Sequence, residues 1–297
     1  MMKTYYMLTK PGIIMGNVIT TAAGFALASS NSFDYVLFSL TMLGLSFVIA
    51  SAGVFNNYID RAMDAKMERT KNRPLANGTV SSIGALVFAS FLGVVGISIL
   101  LVYTNLLTAF VAFFGFFVYL VLYAFWKYRS FYGTIIGSIA GGVPPVVGYC
   151  AVSNTFDAGA FILFMVLVLW QMPHFFAIAT YRIEDYKAAS IPVLPITKGM
   201  YITKIHMALY IVAFTVTALL LTVMGYTGKA YFGVTVLMGF TWLLLCLNGF
   251  MIKNDAVWAR KMFVYSLVVI MVLSLTITFD GMYGNTDLSP IPIAAKI

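Results

Sequence analysis

Four oxygen-bearing side chains recur at every fourth position in one stretch of the chain: Asn56, Asp60, Asp64 and Glu68. On an α-helix a step of four residues drifts only about 40° around the axis, so an amide and three carboxylates share one face. Like charges spaced this way repel by about 0.2–0.5 kcal/mol per pair. The stripe therefore asks for a cation that draws the oxygens together, and all-oxygen ligands select a hard ion such as Mg²⁺. Mg²⁺ keeps part of its water and usually bridges a few carboxylates to phosphates. Arg61, Lys66, Arg69, Lys71 and Arg73 flank the stripe. Metal-binding carboxylates beside Lys and Arg are the combination a diphosphate requires. The bland alternative is a solvated, salt-bridged helical extension that holds nothing.

A second acidic and basic cluster follows an apolar run ending Leu169-Trp170-Gln171-Met172-Pro173-His174-Phe175-Phe176-Ala177-Ile178-Ala179. It contains Tyr181, Arg182, Glu184, Asp185 and Lys187. Five of the ten acids lie in the two clusters, as Asp60, Asp64, Glu68, Glu184 and Asp185. His174 is ionisable and sits inside the apolar run, where such groups default to a functional role. Pro173 removes a backbone hydrogen bond beside it. A neutral imidazole is a good iron ligand; the alternative is a core histidine bonded to a nearby carbonyl. His206 lies nearer the end of its run and is the weaker candidate.

The elements that position these groups are membrane spans. The 297 residues are 61% hydrophobic and 9% charged, against about 25% charged for a soluble domain. Uncharged runs predict an all-α polytopic membrane protein with nine transmembrane helices at roughly 12–30, 36–58, 83–103, 106–126, 132–152, 158–178, 205–225, 231–251 and 261–279. Each is long enough to cross about 30 Å of hydrocarbon. No intervening segment could form a separate soluble domain, so residues 1–297 are expected to be one transmembrane domain. With the N-terminus inside, every Lys and Arg except Lys229 and Lys296 falls on the cytoplasmic side. This predicts an N-in, C-out topology, with the long loops at about 59–82 and 179–204 as cytoplasmic caps. The basic net charge of +8 is then a membrane-topology signal, not a sign of nucleic-acid binding. Cys150 and Cys246 lie within apolar runs and are expected to be packed thiols. Ala26-Leu27-Ala28 mimics a signal-peptidase site, but the first span is expected to stay uncleaved because further spans follow at once.

The Asn-x-x-x-Asp-x-x-x-Asp stripe, followed by Arg69-Thr70 and Arg73-Pro74-Leu75, resembles the UbiA-type intramembrane prenyltransferases. Trp170-Gln171-x-Pro173-His174-Phe175 and Asp185-Tyr186-x-x-Ala189-x-Ile191-Pro192-Val193-Leu194-Pro195 resemble, more narrowly, the protoheme IX farnesyltransferases. The likeness runs from Thr9-Lys10-Pro11-Gly12 to Trp258-Ala259-Arg260-Lys261 and includes Gly141-Gly142-Val143-Pro144-Pro145, which reads as close helix packing with a kink. The sequence departs from the family pattern at two places. Tyr181 stands where many relatives carry an Asp four residues before Asp185, and Lys127-Tyr128-Arg129 stands where many carry a Lys-Arg pair.

The resemblance implies a nine-helix bundle in a bacterial inner membrane, its active site facing the cytoplasm. It implies Mg²⁺ on Asn56, Asp60, Asp64 and Asp185, with farnesyl diphosphate and haem b as substrates. Asp60, Asp64 and Asp185 would be catalytic. Arg69, Arg73, Lys187, Lys127 and Arg129 would meet the diphosphate, Tyr119, Tyr123 and Trp170 the allylic cation, and His174 the haem. The product would serve a haem–copper oxidase or a haem A synthase. Three rivals stand beside this reading: prenylation of an aromatic quinone precursor, ion-coupled transport, and non-catalytic haem chaperoning. Transporters place charges near the bilayer midplane, where these spans carry none.

Overall fold

The computed structural model describes residues 2–29 and 32–283. Lys296, one of the two basic residues assigned to the outer side, lies outside the described residues. Among them are nine helices long and apolar enough to cross a bilayer. These are α1 (Pro11–Ala28), α2 (Tyr35–Asp64), α3 (Ser82–Tyr103), α4 (Leu106–Trp126), α5 (Gly133–Ser153), α6 (Ala158–Tyr181), α7 (Gly199–Val223), α8 (Lys229–Asn248) and α9 (Asp255–Tyr283). Every expected span is present. Three extend beyond the uncharged runs: α2 continues to Asp64, and α7 and α9 begin about six residues early. Charged residues at a membrane surface do not end a helix, so absence of charge underestimates its length.

Large apolar side chains such as Phe91, Phe110, Leu209, Leu237 and Phe279 point outward. In water this surface would be ruinous; in lipid it is the solvated face, and the chain is an integral multi-pass membrane protein. The interior is built on close backbone contacts. A Cβ at Gly24 would collide with the Pro145 carbonyl, and one at Gly148 with the Thr21 carbonyl. Only glycine lets α1 and α5 approach this far. Around that pair α1 also meets α2 and α9, and α6 packs on α5, α7 and α9. The expected kink in α5 falls at Gly141–Gly142, between Gly133–Gly141 and Val143–Ser153. Helix α6 runs through Pro173 without a break.

The connections at 29–34, 104–105, 154–157 and 224–228 are short. Helix N-termini there are capped by Asp34, Asn105 and Asp157, and Asp280 of α9 accepts from Gly228 N and Tyr231 N of α8 at 2.7 and 3.2 Å. The two long segments, 65–81 and 182–198, emerge at the opposite end. The first rests on a small core of Leu8, Val54, Leu75, Val80, Ala85 and Ala89, which ties it to the N-terminal segment and to α2 and α3. Cys150 and Cys246 are buried free thiols.

Candidate active site

Most acids of the described residues have structural tasks. Asp34, Asp157 and Asp280 cap helices, and Asp255 pairs with the buried Lys204 at 2.6 Å. Glu68 and Glu184 form exposed pairs with Lys71 and Lys187 at 2.7 and 2.9 Å. Asp60, Asp64 and Asp185 remain.

Asn56, Asp60 and Asp64 share the buried face of the last two turns of α2, as the four-residue spacing requires. Both carboxylate oxygens of Asp64 accept from Arg73 Nη1, at 2.9 and 2.8 Å. Thr70 makes this possible: its buried hydroxyl donates to the Asp64 carbonyl at 2.9 Å. That bond turns the chain back at the helix end and returns Arg73 to the acid nine residues before it. Glu68 therefore leaves the stripe. The helix stops before a fourth step can be taken, and Glu68 points into solvent.

Asp60 pairs with Lys127 Nζ and accepts from the Tyr128 hydroxyl at 2.7 Å. Both partners lie in the turn after α4, which folds tightly because a Cβ at Gly133 would come within 2.6 Å of Lys127 Cα. Burial lowers the Lys127 ammonium from its ordinary value, against the pull of Asp60. Burial, reinforced by Asp60, raises the Tyr128 phenol.

Asn56 Oδ1 accepts from Lys10 Nζ at 2.5 Å. Lys10 gets there through a left-handed backbone turn, φ 55°, uncommon for a non-glycine residue and costly before proline. Two contacts hold it. Asn57 Nδ2 donates to the Leu8 carbonyl at 2.9 Å, and Gly53 lets the Thr9 carbonyl press onto α2, where a Cβ would sit 3.0 Å from that oxygen. Burial and the nearby Arg73 charge lower Lys10 to about 7, with Asp60 opposing and Lys127 adding to the fall.

Three cations thus face two carboxylates. Asn56 Nδ2 is buried without a hydrogen-bond partner among the described residues, a donor left over for an acceptor the protein does not supply. The oxygens of Asn56, Asp60 and Asp64 are hard donors that fit Mg²⁺. No three His, Cys, Asp or Glu side chains of the described residues converge to hold a metal by themselves. A metal here would complete its coordination with water and a ligand's phosphate.

A π-helical turn, Val118–Tyr123, interrupts α4 beside the cluster; such turns are rare and frequent at functional sites. It stacks Tyr119 on Tyr123, ring centroids 5.4 Å apart and 14° from parallel. Lys127 Nζ lies 5.2 Å from the Tyr123 ring. Asp185 sits half-buried on the short helix Ile183–Ala188, with no side-chain partner among the described residues. Its neighbour Tyr186 is raised by burial, and the Arg69 cation pulls the other way. Tyr123 lies within coulombic reach of both Asp60 and Tyr186, so the two acidic segments adjoin at one end of the bundle.

His174 and Trp170, one turn apart on α6, stack at 4.7 Å and 23°. The His174 ring is buried, 5.0 Å from Phe263 of α9, and its Nδ1 lies 2.7 Å from Ser266 Oγ. Of the residues singled out in the sequence, Asn56, Asp60, Asp64, Arg73 and Lys127 form one cluster with Tyr123 at its side. Arg69 and Asp185 adjoin it through Tyr186. Lys187 and Glu184 stay at the surface. Arg129 is exposed, with Cζ 3.5 Å over the Phe125 ring, and does not join the acids. Lys10, Tyr128 and Ser266 were not identified from the sequence as site residues. Lys10 and Tyr128 both lie inside quoted motifs, Thr9-Lys10-Pro11-Gly12 and Lys127-Tyr128-Arg129, which were the available signal; Ser266 had none.

The UbiA prenyltransferase family model matches residues 17–268. A protoheme IX farnesyltransferase of Protochlamydia amoebophila is 56% identical over 94% of this chain and 99% of its own length. Among solved structures, a digeranylgeranylglyceryl phosphate synthase superposes with a TM-score of 0.78 at 20% identity, over 95% of this chain and 98% of its own. A UbiA homologue from Archaeoglobus fulgidus bound to GPP and Mg²⁺ superposes with a TM-score of 0.66 at 14% identity, over 93% and 99%. By fold, motif and sequence the chain belongs to the UbiA prenyltransferase family, alongside its protoheme IX farnesyltransferases.

Proposed function

We propose that the chain transfers the farnesyl group of farnesyl diphosphate to a vinyl group of haem b, with addition of water, giving haem O and diphosphate. The observation that carries this reading is the near full-length identity of 56% to a protoheme IX farnesyltransferase; the α2 cluster supports it independently as a diphosphate site. The C1–O bond of the allylic diphosphate breaks and diphosphate leaves with the electron pair. The vinyl π pair forms the new C–C bond. Water then adds to the porphyrin-side cation and loses a proton.

Asn56, Asp60 and Asp64, with Asp185 from the adjoining segment, are the residues that would hold Mg²⁺. Held there with the diphosphate, it would supply positive charge against the charge developing on the leaving group. Lys10, Arg73 and Lys127 now sit on carboxylates or an amide; they are the groups that turn to the diphosphate oxygens, joined by Arg69 and by the spare N–H of Asn56. The Tyr119–Tyr123 stack offers ring faces that can stabilise the allylic cation without attacking it. The site's walls are apolar helices, which keep water from quenching the cation early. His174 and Trp170 meet the haem. The chain is one transmembrane domain of a bacterial inner membrane, N-in and C-out, with the reaction at the cytoplasmic end. Haem O then serves a haem–copper oxidase, directly or through a haem A synthase.

The test is a reaction of the purified protein in lipid with haem b, farnesyl diphosphate and Mg²⁺, followed by mass spectrometry. The expected product is haem carrying a hydroxyethylfarnesyl group, lost when a chelator is added. Prenylation of 4-hydroxybenzoate with haem untouched overturns the assignment.

A further inference from the structure

Ser266 of α9 takes two donors from one face of α6. The Trp170 indole N–H donates to its carbonyl at 2.8 Å, and its hydroxyl lies 2.7 Å from His174 Nδ1. The direction of the second bond is fixed by a third. Ser266 Oγ is 2.6 Å from the Phe263 carbonyl oxygen; two oxygens this close need a proton between them. A serine has one O–H to give. Having given it to Phe263, Ser266 can only accept from the imidazole, so the proton on that ring is at Nδ1. The ring stacks on Trp170 and packs against the tilted ring of Phe263, and Ser266 is fully buried, so no water competes for the hydroxyl. His174 Nε2 has no hydrogen-bond partner among the described residues.

We infer that Ser266 is the positioning residue that locks His174 as its Nδ1–H tautomer, leaving the Nε2 lone pair as the ring's one open valence for the porphyrin substrate. The haem half of this rests on the function proposed above; the tautomer does not. An imidazole whose far N–H is held by an acceptor is fixed in orientation and made more basic at the free nitrogen.

The chain has two histidines, so His206→Gln leaves one to observe. In ¹⁵N-histidine-labelled protein in bilayers, nitrogen NMR is expected to show a protonated Nδ1 and a bare Nε2 for His174. Ser266→Ala should release the ring to the Nε2–H form or a mixture, and Ser266→Thr should restore it. A proton on Nε2 in the otherwise unaltered protein, a measurement that needs no change at Ser266, overturns the inference, as does an unmoved tautomer in Ser266→Ala. Titration with haem b reads the other half. Ser266→Ala should weaken binding about tenfold to a hundredfold, with rescue by Thr. Unchanged haem affinity in His174→Ala would defeat the haem contact while leaving the tautomer result standing, so the two failures are told apart.

Discussion

Asp64→Asn separates the proposed chemistry from the fold. The Asp64 side chain is 3% exposed and pairs with Arg73 through both oxygens. Asparagine keeps its shape, and the bond from Thr70 goes to the main-chain carbonyl, so the turn that returns Arg73 is untouched. What is lost is the charge and one of the two acceptors, because an amide nitrogen cannot accept from Arg73. Hydrogen bonds to charged groups contribute about 1.5–3 kcal/mol against about 0.5–1.5 for neutral ones, so the substitution costs stability of about 1–2 kcal/mol. Arg73 is 30% exposed and can recover water, which holds the loss to the lower part of that range. The effect on turnover is larger. Removing one group that stabilises leaving-group charge in a dry site costs about 10²–10³ in kcat, or about 2.7–4 kcal/mol. The assay pairs initial rates of haem O formation, by chromatography and mass spectrometry across a Mg²⁺ titration, with thermal unfolding of the same preparation. A folded variant that turns over at the parental rate would refute the argument that Asp64 acts on the diphosphate.

Four further outcomes are expected. Glu68→Gln, although it alters an acid of the original stripe, should leave turnover intact and stability within about 0.5 kcal/mol, because its pair with Lys71 is exposed; a large rate loss would return Glu68 to the site. Gly133→Ala should strain the turn under Lys127 by about 1–3 kcal/mol and raise the KM for farnesyl diphosphate, with KM as the measurement. His174→Ala should raise the KM for haem and spare that for farnesyl diphosphate; an unmoved haem KM counts against its role. Chelation should abolish turnover reversibly, with Mg²⁺ restoring it, since the few oxygens of Asn56, Asp60, Asp64 and Asp185 would leave the ion partly hydrated and exchangeable.

The chemistry that depends on local periodicity was legible. Asn56, Asp60 and Asp64 face one way because four residues make one turn, and the spans follow from uncharged length. Glu68 obeys the same spacing and still leaves the stripe, because a threonine hydroxyl six residues after Asp64 ends the helix first. Lys10 reaches Asn56 across 46 residues of sequence through a left-handed turn, and no periodicity carries that information. The π-helical turn that stacks Tyr119 on Tyr123 is equally silent, since it replaces one bonding register with another inside an unbroken apolar run. Arg129 and Lys127 look interchangeable in the sequence; the turn after α4 sends one to Asp60 and the other over Phe125.

The clamp on His174 also sets an order of assembly. Lys10, Asn56, Asp64 and Arg73 all belong to the first quarter of the chain, so that corner can form while the ribosome is still feeding α3 into the bilayer. The imidazole on α6 must wait for Ser266, which emerges more than ninety residues later. During synthesis this one corner of the diphosphate end can thus form early, with Lys127 and Asp185 joining it later, and a ring free to rotate is fixed only when the final helix inserts, making α9 the keystone of the porphyrin side.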